Sequence, residues 1–459
     1  TTTVADTGNA TVDNVAPTVT DANVSISGAT GTGGAFKIGD TVTATWTNVG
    51  GDANADISGV TFDFSAFGGG TAVAATNVNG VWTASYTLVA GSIDATSRNV
   101  SATVTDNAGN TATAADTTNA TVDNVSPTVT DGHIGISGAT GTGGAFKIGD
   151  TVTAAWTNTA QGDNNTDISG VTFDFSAFGG GAAVAATNVN GVWTASYTLV
   201  AGGIDLTNRN VSATVTDDAG NTTTMADTSN ATVNNVAPTV TDANVSISGA
   251  SGSGGTYKIG DTVTATWTNV GGENNADTIS GVTFDFSQFG GGSAVAATNV
   301  NGVWTASYTL VAGGIDLTNR NVTATVTDDA GNTATTADTS NATVDNVAPT
   351  VTDANVSISG GSGTGGAYKI GDTVTATWTN ASGDANADTI SGVTFDFSQF
   401  GGGSAVAATS VNGVWTATYT LVAGSIDATS RNVSATVTDN AGNTTTVADT
   451  GNATVDNVV

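Results

Sequence analysis

Oxygen-bearing words recur along this chain at a nearly fixed interval. In the first full copy they are Asp52 and Asp56, then Asp106, Asn107 and Asn110 in Thr-Asp-Asn-Ala-Gly-Asn, and the doublet Asp13-Asn14, which returns as Asp123-Asn124. Carboxylates and carboxamides grouped in this way are the hard donors that calcium takes, roughly six to eight at a time. The matching candidates further along are Asp163, Asp167, Asp217, Asp218 and Asn221, then Asp328, Asp329, Asn332 and Asp345, then Asp439, Asn440 and Asn443. The same residue types form turns by capping their own backbone, which is the competing reading. Asp40 and Asp94 read as turn caps or as ion-pair partners of Lys37 and Arg98.

Repetition decides where these groups sit. Trp82, Trp193, Trp304 and Trp415 lie 111 residues apart, and Pro17, Pro127, Pro238 and Pro349 are separated by 110, 111 and 111 residues. A period this long makes each copy a domain with its own core, since a solenoid repeats every ~20–50 residues. The 459 residues divide into a last strand of a preceding repeat (1–15) and four repeats, 16–125, 126–236, 237–347 and 348–459. Thr1–Val15 is identical to Thr444–Val458, so the chain reads as a window on a longer array. An unpaired last strand is expected to add to another chain in a filament or bundle, or to pair with the body that follows it.

Alternation within a repeat points to strands. Val42, Ala44 and Trp46 share one face of Thr41–Asn48, as do Val60, Phe62 and Phe64 in Ile57–Phe67. Trp82, Ala84, Tyr86 and Leu88 do so in Val81–Val89, and Val100, Ala102 and Val104 in Arg98–Asp106. Asn79-Gly80 is the dipeptide of a tight hairpin turn. Seven short strands per repeat predict a two-sheet antiparallel sandwich with Trp46 and Trp82 in the core. Successive loops of such a sandwich fall at opposite poles, which brings the Asp52–Asp56 loop, the Asp106–Asn110 tip and the preceding Asp13 to one pole. Exposed tryptophans would instead offer a stacking platform for carbohydrate.

Composition narrows the function. Acidic residues number 39 against 8 Lys plus Arg, a net charge of −31. Such a chain lacks the basic patches that neutralise phosphate, so nucleic acid is excluded as a partner. It also repels itself unless cations bind. There is no cysteine, and His133 is the only histidine. A nucleophile–base pair therefore cannot recur through the array, and an enzyme is not expected. No apolar run approaches the ~18–20 residues that span a bilayer. Asn-x-Ser/Thr sequons such as Asn23-Val-Ser25 would accept glycans in a host with the machinery.

The words VTDNAGNTATA and VDNVAPTV resemble the bacterial immunoglobulin-like tandem repeats of giant calcium-binding surface adhesins, in which an Asp-x-x-Gly-Asn hairpin tip precedes an Asp-rich joint and a proline. The resemblance implies an all-β tandem array of four immunoglobulin-like antiparallel β-sandwiches forming an elongated rod, with calcium at the joints. It also implies an extracellular stalk on a cell surface, projecting an adhesive tip, absent from this segment, towards a host or neighbouring cell. One joint departs from the pattern: Asn234 stands where the others have Asp13, Asp123, Asp345 and Asp456. A carbohydrate- or cell-binding module acting through its loops is the alternative, disfavoured because the loops scarcely change between copies.

Overall fold

The computed structural model describes residues 1–459, and all of its regular structure is strand and short turn. In the first repeat the strands are β1 (Val24–Ser27), β2 (Phe36–Lys37), β3 (Thr41–Thr47), β4 (Ile57–Asp63), β5 (Val73–Ala74), β6 (Thr76–Val78), β7 (Val81–Thr87), β8 (Asp94–Arg98), β9 (Ser101–Asp106), β10 (Thr111–Ala115) and β11 (Ala120–Asp123). They form two four-stranded sheets, β1-β3-β7-β6 and β10-β9-β4-β5, and a three-stranded sheet, β2-β11-β8. The other repeats copy this order.

Seven antiparallel strands were expected, and two features differ. A glycine-rich segment separates β1 from β2, where Gly28 has φ 112° and a Cβ would lie 2.0 Å from the Thr41 carbonyl oxygen, and the turn Asp116–Asn119, with Asn119 at φ 57°, separates β10 from β11. Beyond that break β2 pairs in parallel with β11, Phe36 opposite Val122. The glycine-rich link is thus part of the core, because Phe36 meets Phe67 edge-on with ring centroids 5.5 Å apart. Asp40 closes the link by accepting from the Thr30 hydroxyl and from the amides of Thr30 and Lys37. That is the capping role, not an ion pair.

Inward residues of both large sheets make one core per repeat. Val42, Ala44 and Trp46 of β3 and Ala84 of β7 meet Val60 and Phe62 of β4, Val100 just before β9, and Ala102 and Val104 within it. Trp46 stands directly opposite Trp82. Trp46 is fully buried, whereas Trp82 is half-buried at the edge of the core, so neither ring stands free as a sugar platform. Equivalent cores lie within residues 129–233, 240–344 and 351–455. The chain divides into two compact units, Thr1–Val236 and Ala237–Val459.

Thr1–Asn14 forms no ladder with the following body, which overturns that version of the pairing expectation. Val12 is 83% exposed, while its counterpart Val455 is fully buried. The reason is that the following body already has its own final strands, Thr111–Ala115 on β9 and β11 between β2 and β8. Thr444–Ala448 and Ala453–Asp456 are likewise paired within their own repeat. The opening segment meets the body at one place, where the Asn110 side chain donates to the carbonyls of Asp13 (3.3 Å) and Val15 (3.5 Å).

One substitution has a readable cost. The indole N–H of Trp46, Trp156 and Trp378 donates at 2.7 Å to Asp52, Asp163 and Asp384 respectively. In the third repeat a glutamate, Glu273, takes this place. Its longer arm carries the carboxylate to the Thr241 amide and hydroxyl, and the buried Trp267 N–H is left without an acceptor. Glu273→Asp is expected to stabilise the third repeat by about 1 kcal/mol, the net worth of one hydrogen bond regained by a buried donor. Calorimetry of the full chain would register this as an upward shift of one transition. No shift would mean the indole is satisfied in another way.

Candidate metal centre

Three carboxylates converge at each joint within a unit. They are Asp13, Asp56 and Asp106 before the first body, Asp123, Asp167 and Asp217 between the first and second, and Asp345, Asp388 and Asp439 between the third and fourth. In each group one oxygen from every residue lies within 4.8 Å of the others. The positions follow from the strands. Asp123 ends β11 of one repeat, while Asp217 ends the strand Ser212–Asp217 of the next. Asp167 immediately precedes the strand Ile168–Asp174 that pairs with it.

The tip of each last hairpin is shaped around its aspartate. Asp217 accepts from the amides of Gly220 and Asn221 and from the Asn221 side chain. Asp328 does the same with Gly331 and Asn332. The asparagine then reaches backwards: Asn221 donates to the Asp123 carbonyl at 3.2 Å and accepts from the Ile38 amide at 2.9 Å. Asn443 repeats both bonds with Asp345 and Ile259. A main-chain bond from Thr32 to the Ala219 carbonyl (3.1 Å) completes the contact, as Ser253 to Ala441 does in the other unit. Both polar ends of Asn221 and Asn443 are therefore committed to the latch between repeats.

Electrostatics distinguish the cluster from an ordinary acidic surface. Burial pushes the Asp123 carboxyl up to about 6, reinforced by the charges of Asp217, Asp94 and Asp167. Burial also raises Asp388 to about 6, together with a hydrogen bond to Asp316 and the charges of Asp316, Asp345 and Asp439. Asp167 and Asp345 are raised for the same reasons. No lysine or arginine lies within ion-pair distance of these groups. A cleft of 350 Å³ opens beside Asp123 and Asp167, with Asp94 and Asp218 on its wall. Several close carboxylates without countercharge suit a hard divalent cation, and the donor chemistry fits calcium.

Apart from Asp328, Asn110, Asn221, Asn332 and Asn443, which bond within the hairpin tips, the sequence candidates separate into three groups. Asp13, Asp56, Asp106, Asp123, Asp167, Asp217, Asp345 and Asp439 lie in the clusters. Asn107, Asp218, Asp329 and Asn440 share one exposed position at the hairpin tip, outside the trios. Asp52 and Asp163 lie apart from them, holding the first segment of their repeat. Asp52 accepts from Trp46, from Asn23 and from the amide and hydroxyl of Thr20. Burial alone would raise its pKa, but the Thr20 hydroxyl and the Trp46 N–H outweigh it and hold it below the usual carboxylate value. His133 takes the place of Asn23 in the second repeat and contacts Asp163 at 2.9 Å, a structural substitution.

Sequence reasoning missed Asp388, Asp94 and Asp316. Asp388 is the last aspartate before the Ile-Ser-Gly strand, as Asp56 and Asp167 are, but Thr389 intervenes and hides the correspondence. Asp94 and Asp316 begin strands at the lower pole of one repeat, and only docking of the next repeat brings them to the cluster.

The chain is thus a tandem array of immunoglobulin-like β-sandwiches with carboxylate joints. Among solved structures it is similar to a tetra-tandem repeat from the extending region of a large adhesion protein. That match has 19% identity over 92% of this chain and 96% of that one, with a TM-score of 0.23. A structure from a 1.5-MDa bacterial ice-binding adhesin matches at 24% identity over 70% of this chain and 98% of that one, TM-score 0.25. Both come from large adhesins, the family the sequence resembles. A Bacteroides ovatus protein in complex with a mixed-linkage heptasaccharide matches at 15% identity over 79% and 80%, TM-score 0.15. At these scores the fold rests on strand order, not on superposition. No family model and no curated protein matches the chain.

Proposed function

We propose that this chain is a structural extender segment of a bacterial extracellular adhesin or surface filament, stiffened by calcium at the joints between repeats. The observation that carries this reading is the recurrence of one trio of carboxylates, two buried and one half-buried, without countercharge, where one repeat meets the next in each unit. Bound calcium would supply the positive charge that offsets repulsion among these groups. The chain's own part is to hold them: Asn221 and Asn443 clasp the preceding repeat and fix Asp217 and Asp439 against Asp123 and Asp345. Partners on this reading are neighbouring copies of the same repeat or chain, and a cell surface reached by a tip outside this segment.

Small-angle scattering of the full chain tests the proposal. In calcium the maximum dimension should be longer and better defined than in chelator, as expected of a semi-rigid array of domains whose seven-residue strands each contribute roughly 25 Å before their loops are added. A dimension indifferent to chelator would refute calcium stiffening.

A further inference from the structure

The four hairpin tips Asn79-Gly80, Asn190-Gly191, Asn301-Gly302 and Asn412-Gly413 look interchangeable in sequence. All four asparagines are exposed and adopt positive φ, between 52° and 53°. Asn-Gly is the dipeptide most open to spontaneous loss of the side-chain amide, because glycine presents no side chain to block attack by its own nitrogen. In that reaction the glycine nitrogen loses its proton and attacks the asparagine Cγ. The new N–C bond forms as the Cγ–NH2 bond breaks and ammonia leaves. Water then opens the cyclic imide at one carbonyl or the other, giving aspartate or isoaspartate.

The tips differ in how that nitrogen is held. The N–H of Gly80 donates to the Asn77 side-chain oxygen at 2.8 Å, that of Gly191 to Asn188 at 2.9 Å, and that of Gly302 to Asn299 at 2.8 Å. A nitrogen engaged in this way has its proton occupied and its direction set. In the fourth repeat the accepting residue is Ser410, whose shorter side chain makes no such bond to Gly413. The tip is also less supported from below, because Ala381 packs under Gly413 where Val49 and Val270 pack under Gly80 and Gly302.

We propose that Asn412 is the chain's preferred site of deamidation, releasing ammonia and leaving a new carboxylate, on an ordinary backbone or on one lengthened by one methylene, at the tip of the fourth repeat alone. The isoaspartate form breaks the turn that presents the Gly413 carbonyl to the Asn380 amide at 2.9 Å.

The chain supplies its own controls. Its 8 Lys and Arg residues flank the tips so that tryptic cleavage places each Asn-Gly in a separate peptide. The full chain, aged in mildly alkaline buffer, is expected to convert Asn412 about threefold to tenfold faster than Asn79, Asn190 or Asn301, the factor that one hydrogen bond is worth. Ser410→Asn should bring Asn412 down to the common rate, and Asn77→Ser should raise Asn79. Both positions are exposed, and circular dichroism would confirm that each variant stays folded. Equal rates at all four tips, or an Asn412 rate unchanged by Ser410→Asn in a folded chain, would overturn the assignment.

Discussion

Trp46→Ala is expected to destabilise the first repeat by about 3–5 kcal/mol, the range for deleting a large aromatic from a core that cannot collapse around the loss. The indole is fully buried, and residues of both sheets close over it. Its N–H is also one of the donors that hold Asp52, so the substitution loosens the loop that pins Thr20 and Asn23. Trp82→Ala should cost less. The sequence placed both rings in the core, but Trp82 sits half-buried at its margin, where water can fill part of the space. Denaturant unfolding, with hydrogen exchange to localise the change to residues 16–125, would measure the difference. Equal losses for the two variants would contradict the burial argument.

Withdrawing calcium is expected to have the second large effect. Calcium at about a hundred times its dissociation constant stabilises a site by ~2.7 kcal/mol if the unfolded chain does not bind it. Chelator should therefore lower the melting temperature of the full chain. The pH dependence gives the test a sign. Folding raises Asp123 from 3.8 to about 6, so the folded form binds its proton more tightly than the unfolded form does. Without metal, that contribution is present at low pH and lost as pH rises through about 6. Asp388 acts in the same window. In chelator, acidification from neutral pH to about pH 5 should raise the melting temperature, because protonation removes the cost of burying these charges and the repulsion among them. In calcium the same step should lower it, because protons compete with the ion. The caps work in the opposite sense at lower pH. Burial disfavours the charged form of Asp40, but the Thr30 hydroxyl outweighs it and holds the carboxyl below its usual value, so this contribution disappears only in stronger acid. Parallel pH curves with and without calcium would argue against metal at the clusters.

The fold was legible wherever period-2 alternation was strong. The strands around Trp46, Phe62, Trp82 and Val104 were found because each puts apolar residues on one face. Phe36 and Phe67 were not: Phe36 lies in a glycine-rich link, and Phe67, expected at the end of a strand Ile57–Phe67, lies in the turn beyond β4 and out of phase with Val60, Phe62 and Phe64. The parallel pairing of β2 with β11 was equally hidden, being a contact between opposite ends of a repeat. For the site, counting oxygen donors found most of the trio positions. It could not separate Asp56, which faces the joint, from Asp52, which faces Trp46, although both lie in one loop. Nor could it find Asp94 and Asp316, which reach the cluster only through the next repeat.

The placement of β11 bears on timing. Because β11 is held by β2 on one side and β8 on the other, the three-stranded sheet of a repeat stays open until the repeat's last residues exist. Synthesis delivers the chain N-terminus first, so a nascent array carries one unfinished sheet at a time, and within a unit the latch from the later repeat engages a strand end that is already in place. Closure then advances in one direction, like a zip. Only the growing end exposes the vacant place between β2 and β8, which limits the opportunity for one copy to capture another's β11.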